Sequence, residues 1–229
     1  MHVRGGMVRS ALGRGTVVAT IAFTLVGCGL VGPEAGNQTA GKGQSYASAL
    51  KDLKGLQVKG RAPLTGFDRA RFGPAWADVD HNGCDTRNDI LQRDLKDETF
   101  KPGTHDCIVL TGTLHDPYSG KTIKFERGQK TSSAVQIDHV VALADAWQKG
   151  AQQLSETRRK ELANDPLNLL AVDGRLNSQK GAGDAATWLP PSHAYRCPYV
   201  SRQIEVKVKY NLWVTSAERD AMQRVLDSC

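Results

Sequence analysis

Residues 134–141 read AVQIDHVV and residues 167–180 read LNLLAVDGRLNSQK. In the first stretch apolar and polar residues alternate as in a half-buried strand, which delivers Asp138 and His139 at its end. The second is a short apolar strand from Leu167 to Val172, a turn at Asp173 and Gly174, and a helix starting at Arg175 and reaching Lys180. Between them, Val140, Val141, Leu143, Ala144 and Trp147 repeat at helical spacing. Ser155 caps a polar helix from Glu156 to Ala163 that Pro166 ends. Two strands and a helix therefore make a β-β-α unit with an insertion between its strands.

Toward the N-terminus, Thr86 can cap a helix running to about Asp97, with Asp89 near its positive end and Ile90, Leu91 and Leu95 on one face. A loop with Pro102 and Gly103 follows. The runs Cys107–Leu114 and Lys121–Phe125, joined by the turn-rich Asp116–Gly120, form a hairpin. Toward the C-terminus, Tyr199–Tyr210 reads as a basic helix, although Val206 and Val208 also allow a strand. Thr215 and Glu218 make a capping box for a last helix that turns Ala221, Met222, Val225 and Leu226 inward. The expected fold is α+β, a single domain around the β-β-α core with additional helices and a hairpin.

The chain has 229 residues, 40% hydrophobic and 24% charged, which is enough for one sizeable core. Arg4, Arg9 and Arg14 with no acid precede an uncharged run from Thr16 to Val26, the pattern of a secretory signal too short to span a bilayer. Leu25, Val26, Gly27 and Cys28 resemble a bacterial lipobox, so Cys28 is the expected lipidation site and mature N-terminus. The expected organisation is a lipoprotein signal over 1–27, a Gly- and Ala-rich tether over 28–45 and a folded domain over 46–229. This puts the protein on the outer face of the cell membrane, or free as a secreted protein. Loss of residues 1–27 removes three arginines and no acid, lowering the formal charge from +6 to +3. That excess permits a polyanionic substrate without arguing for one.

Cys84, Cys107, Cys197 and Cys229 are an even set suited to an oxidising exterior. Of three pairings, Cys84–Cys107 with Cys197–Cys229 is favoured because each closes a local loop. A zinc site is the competing use, and no close C-x-x-C pair supports it.

Asp138, His139, Asn168, Asn177 and Lys180 carry chemistry. An imidazole with an ordinary pKa near 6.5 can accept a proton at neutral pH, so His139 is a workable general base. On an extended segment its neighbour Asp138 points elsewhere and is the natural metal ligand. Asp138 with the amide oxygen of Asn177 makes a hard, oxygen-rich site suited to Mg²⁺, with Mn²⁺ or Zn²⁺ as substitutes. Asn168 can pin the loop between the strands and so set the direction of His139. Lys180, three residues beyond Asn177, can hold a phosphate oxygen as a point charge.

These residues resemble the HNH (ββα-metal) endonuclease motif, with Asn as its third letter. The chain is most similar to secreted actinobacterial HNH proteins and to the C-terminal domain (DUF1524) of GmrSD-type restriction enzymes. Gly83–Arg87, Asp116–Gly120, Trp188–Pro191 and the terminal Cys197 and Cys229 extend the likeness over roughly residues 65–229. The resemblance implies His139 as general base, Asp138 and Asn177 as metal ligands and Asn168 as the loop-orienting asparagine. One departure is that no further histidine can be placed near the metal.

Arg87, in the first turn of a helix where the dipole disfavours a cation, needs a partner: Asp85, Asp89 or a substrate phosphate. Arg202, Lys207 and Lys209 form a basic stripe, read either as a track for a nucleic-acid backbone or as a solvated face. His81, His105, His115 and His193 are read as surface or capping residues, and the four tryptophans as core packing. The expected activity is metal-dependent, largely sequence-independent hydrolysis of DNA rather than RNA. The rival reading is a non-catalytic surface module that keeps the fold.

Overall fold

The β-β-α unit sits at the centre of a computed structural model that describes residues 39–229. The expected signal at 1–27 and the lipidation site Cys28 lie outside the described residues. Strand β4 (Val135–His139) pairs antiparallel with β5 (Leu169–Asp173), placing Asp138 opposite Leu170 and His139 opposite Leu169. Helix α5 (Gly174–Lys180) follows β5 directly, its first turn capped by the Asp173 carboxylate on the Leu176 amide. Gly174 makes this junction: a Cβ there would come 2.0 Å from the Ser133 carbonyl, so only glycine lets α5 start against the entry to β4. The insertion holds α3 (Leu143–Gln148) and α4 (Glu156–Asn164), the latter capped by Ser155.

A second sheet has the antiparallel order β1-β2-β3, with β1 Leu95–Phe100, β2 Val109–His115 and β3 Thr122–Glu126. The expected hairpin is β2 and β3. The expected helix to Asp97 ends earlier: α2 is Thr86–Asp94, and Leu95 begins a strand instead. Tertiary pairing overrides helix propensity here. Leu95 is buried against Gly112, whose missing Cβ would lie 2.8 Å from the Leu95 side chain. The cap of α2 is Asp85 rather than Thr86, with its carboxylate on the Asn88 amide at 2.8 Å.

Helix α1 (Thr39–Gly55) begins inside the stretch expected as a tether. Helices α6 (His193–Lys209) and α7 (Ser216–Asp227) pack with it, and the Thr215–Glu218 capping box forms as expected. The two faces of the β4–β5 ribbon enter different cores. Leu170 and Val172 join α1, α6 and α7, whereas Val135, Ile137, Leu169 and Ala171 meet α2 and the three-stranded sheet. Both expected disulfides are present, Cys84–Cys107 and Cys197–Cys229.

The basic stripe on α6 is structural. Arg202 donates to the carbonyls of Leu167 (2.6 Å), Pro166 (2.7 Å) and Leu169 (2.8 Å), fixing the approach to β5. Lys209 pairs with Asp165 at 2.6 Å, and Lys207 is fully buried beside Glu218 at 3.1 Å. That last pair belongs to a buried charge cluster in which Lys149 meets Asp145 (2.6 Å), Asp184 (2.8 Å) and Glu218 (2.7 Å). Such a cluster is tolerated only when every charge is paired. Among the described residues no helix is long and apolar enough to cross a membrane.

Candidate active site

A cavity of about 420 Å³ opens over the end of β4, lined by Asp138, His139, Asn177, Gln136, Arg69 and Arg87 among others. The β-β-α unit thus brings Asp138, His139 and Asn177 to one cavity, three of the five residues expected to carry the chemistry.

His139 is held from two sides. Its Nε2 lies 2.9 Å from the Ala163 carbonyl at the end of α4. A carbonyl only accepts, so Nε2 carries the proton and the neutral ring keeps its lone pair on Nδ1. Trp76 stacks on the ring with centroids 6.1 Å apart and planes 13° apart. Burial pushes the His139 pKa down to about 4, against the opposing pull of the Ala163 carbonyl and Asp138, so the ring is neutral at pH 7.

Asn168, with no exposed surface, ties the loop after His139 to the segment that orients its ring. The Asn168 Oδ1 accepts from the Val141 amide (2.8 Å), and its Nδ2 donates to the carbonyls of Val141 (3.3 Å) and Leu162 (3.2 Å). Its own carbonyl accepts from the Val140 amide at 2.8 Å. A single residue therefore couples the exit from β4 to the end of α4.

Asp138 is buried. The Tyr118 hydroxyl donates to its Oδ2 at 2.5 Å, and Lys180 Nζ lies 2.9 Å from the carboxylate. Burial first, then Asp138, pushes the Tyr118 pKa well up, so the phenol stays a donor. Tyr118 sits in the Asp116–Gly120 turn, which Asp116 fastens to the end of β5 by accepting from the Asp173 amide at 3.0 Å. Lys180 differs from its expected role as a phosphate contact. Its ammonium is buried, donating to Asp138 and, at 2.8 Å, to the His139 carbonyl, so it holds the metal-ligand candidate rather than reaching a phosphate.

Asn177 donates through Nδ2 to Gln136 Oε1 at 2.9 Å, and its Oδ1 accepts no hydrogen bond among the described residues. A carboxylate offers about four lone pairs, and Tyr118 and Lys180 engage part of that capacity. The remaining Asp138 lone pairs and Asn177 Oδ1 are hard oxygen donors on one cavity, a fit for Mg²⁺ or Mn²⁺ that keeps several waters. No group of three or more His, Cys, Asp or Glu side chains placed to hold a metal ion exists among the described residues.

Two guanidiniums give the cavity positive charge. Arg87 is half-buried near the Phe125 ring, 5.9 Å from its centroid, and forms no ion pair with Asp85 or Asp89. Asp85 is spent on Asn88, and Asp89 accepts from Asn82. Arg69 is exposed and also without an ion pair among the described residues. Sequence reasoning missed Arg69, Tyr118 and the placement of Trp76. Trp76 adopts φ 58°, a left-handed conformation that costs a bulky residue about 1–3 kcal/mol and clusters at functional sites. No local pattern announces it.

The model of the family described as GmrSD restriction endonucleases, C-terminal domain, matches residues 85–225. An uncharacterized secreted protein of Arthroderma benhamiae (strain ATCC MYA-4681 / CBS 112371) is 36% identical over 187 residues, covering 81% of this chain and 86% of the relative. No solved structure matches. The two disulfides fit an extracellular protein, and the family suggests a nuclease. The match spans the β-β-α unit, the hairpin that carries Tyr118 and most of α7, and the chain belongs to the family of the GmrSD restriction endonuclease C-terminal domain.

Proposed function

We propose that this protein is a metal-dependent endonuclease that hydrolyses phosphodiester bonds of DNA with little sequence preference. It acts outside the cell, anchored to the outer face of the membrane through a lipid on Cys28 or released. His139 Nδ1 takes a proton from water as the water oxygen bonds to phosphorus and the bond from phosphorus to the leaving oxygen breaks. Asp138 and Asn177 would hold a divalent ion, Mg²⁺ by their oxygen chemistry. Such an ion neutralises charge on the transition state and on the leaving oxygen. Arg87 and Arg69 hold the phosphate, Tyr118 and Lys180 fix the Asp138 carboxylate, and Asn168 fixes the seat of His139.

One observation carries this reading: His139 has its Nε2 proton committed to the Ala163 carbonyl, while Asp138 and the Asn177 Oδ1, unpaired among the described residues, share its cavity. A plasmid-nicking assay with Mg²⁺, Mn²⁺ or Zn²⁺ tests it. Wild type should nick in at least one metal, EDTA should abolish nicking, and His139→Ala should lose it. Failure of wild type in all three would favour a binding module that keeps the fold.

A further inference from the structure

A second cavity, of about 330 Å³, adjoins the first and has a different character. Its walls are mainly apolar, from Phe72, Pro74 and Leu143, and it shares Arg69, Trp76 and His139 with the catalytic cavity. Asn164 also lines it. This asparagine is 1% exposed, and its Nδ2 donates to the Lys160 carbonyl at 2.9 Å. Because that carbonyl can only accept, the amide nitrogen must face it. Asn164 Oδ1 is left buried with no hydrogen-bond partner among the described residues. An apolar cleft backed by one buried, unsatisfied acceptor suits a ligand that has flat apolar faces and an N–H donor on its edge, which Oδ1 meets once the Asn164 side chain turns toward the cleft.

We infer that this cleft receives one unpaired nucleobase next to the scissile phosphate, so that the preferred substrate is single-stranded or locally unpaired DNA. This rests on the nuclease reading of the neighbouring site. A phosphate beside His139 puts the base of an adjoining nucleotide within reach of a cavity that shares the same histidine, Trp76 and Arg69. Adenine, cytosine, guanine and thymine each carry at least one N–H donor on the Watson–Crick edge, so Asn164 can accept from any of them. In a duplex that edge is occupied and the base faces are stacked. The cleft therefore demands unpairing while discriminating little by sequence, and extrusion of a paired base has an energetic cost.

Fluorescence anisotropy with the full-length protein in EDTA separates binding from cleavage. The probes are a labelled oligonucleotide as a single strand, the same sequence as a duplex, and an abasic strand of equal length. Wild type should bind the single strand about tenfold or more tighter than either other probe. Asn164→Leu, and Ala75→Phe on the rim of the cleft, should each lose most of that preference while retaining duplex affinity. Ala75 is exposed, so its substitution spares the fold if Asn164→Leu does not. Equal affinity of wild type for single strand and duplex, or an undiminished preference in Ala75→Phe, would overturn the inference. A single-strand preference in a protein that cleaves nothing with any metal would support the cleft and sink the hydrolytic reading alone.

Discussion

Asn168→Ala removes three hydrogen bonds at once from a fully buried position: Val141 N–H, Val141 C=O and Leu162 C=O all lose their side-chain partner. The orphaned N–H and two carbonyls cannot reach water, and a buried unpaired group costs about 1–3 kcal/mol. The carbonyls fare better than the amide, so the sum is about 3–5 kcal/mol. For a domain of this size each kcal/mol lowers the melting temperature by about 2–4 °C, so a fall of about 6–20 °C is expected. Activity should suffer separately. Leu162 precedes the residue whose carbonyl orients His139, and Val141 lies two residues after that histidine, so both sides of its seat loosen. A displacement near 1 Å at a reacting group costs on the order of a hundredfold in rate. Urea unfolding and plasmid nicking well below the new midpoint read the two effects. Asn168→Asp keeps the acceptor for Val141 N–H but sets a carboxylate against two carbonyls, and should do no better. Full activity with less than about 1 kcal/mol of destabilisation in Asn168→Ala would refute the reasoning.

Lys149→Met removes the central cation shared by Asp145, Asp184 and Glu218 and leaves only Arg61 and Lys207 beside them; breaking a buried pair of this kind costs about 3–5 kcal/mol, read by chemical denaturation. Acid should destabilise the protein in a defined window. Burial alone would raise Asp184 and Asp165, but Lys149 with Arg61 at the first, and Lys209 with Tyr210 at the second, outweigh it and hold both below the ordinary 3.8. The unfolded chain then binds more protons, so this stability is complete above about pH 4–5 and is lost as pH falls through the lower folded values, which circular dichroism across that range would follow. Arg69→Ala and Arg87→Ala should each weaken DNA binding and reduce the slope of log affinity against log salt by about 0.7–0.9, as expected for one lost phosphate contact.

The β-β-α unit was legible because its signals are local. Alternation around Ile137, the Asp173 turn and the run at Leu169 each act within a few residues, and the β-β-α layout carries Asp138, His139 and Asn177 to one cavity as their order along the chain implies. Both disulfides were legible through loop length. Misreadings arose where distant partners decide. Lys180 lies on the same short helix as Asn177, but only the fold shows that the carboxylate of Asp138 and the carbonyl of His139 lie beside its ammonium. Arg202 and Lys207 look like a solvated or DNA-facing stripe until the approach to β5 and Glu218 are seen against them. Leu95 left its expected helix because β2 offered Gly112 as a seat. Arg69 and Trp76 come from a segment without periodicity, so nothing in the sequence aims them at His139.

If one divalent ion sits between Asp138 and Asn177 beside the imidazole of His139, an anomalous difference map from crystals grown with Mn²⁺ will show it most directly. A single strong peak within coordination distance of the Asp138 carboxylate and Asn177 Oδ1 is the predicted result. A protein that binds Mn²⁺ only elsewhere, or that shows no peak between these two oxygens under saturating Mn²⁺, would contradict it.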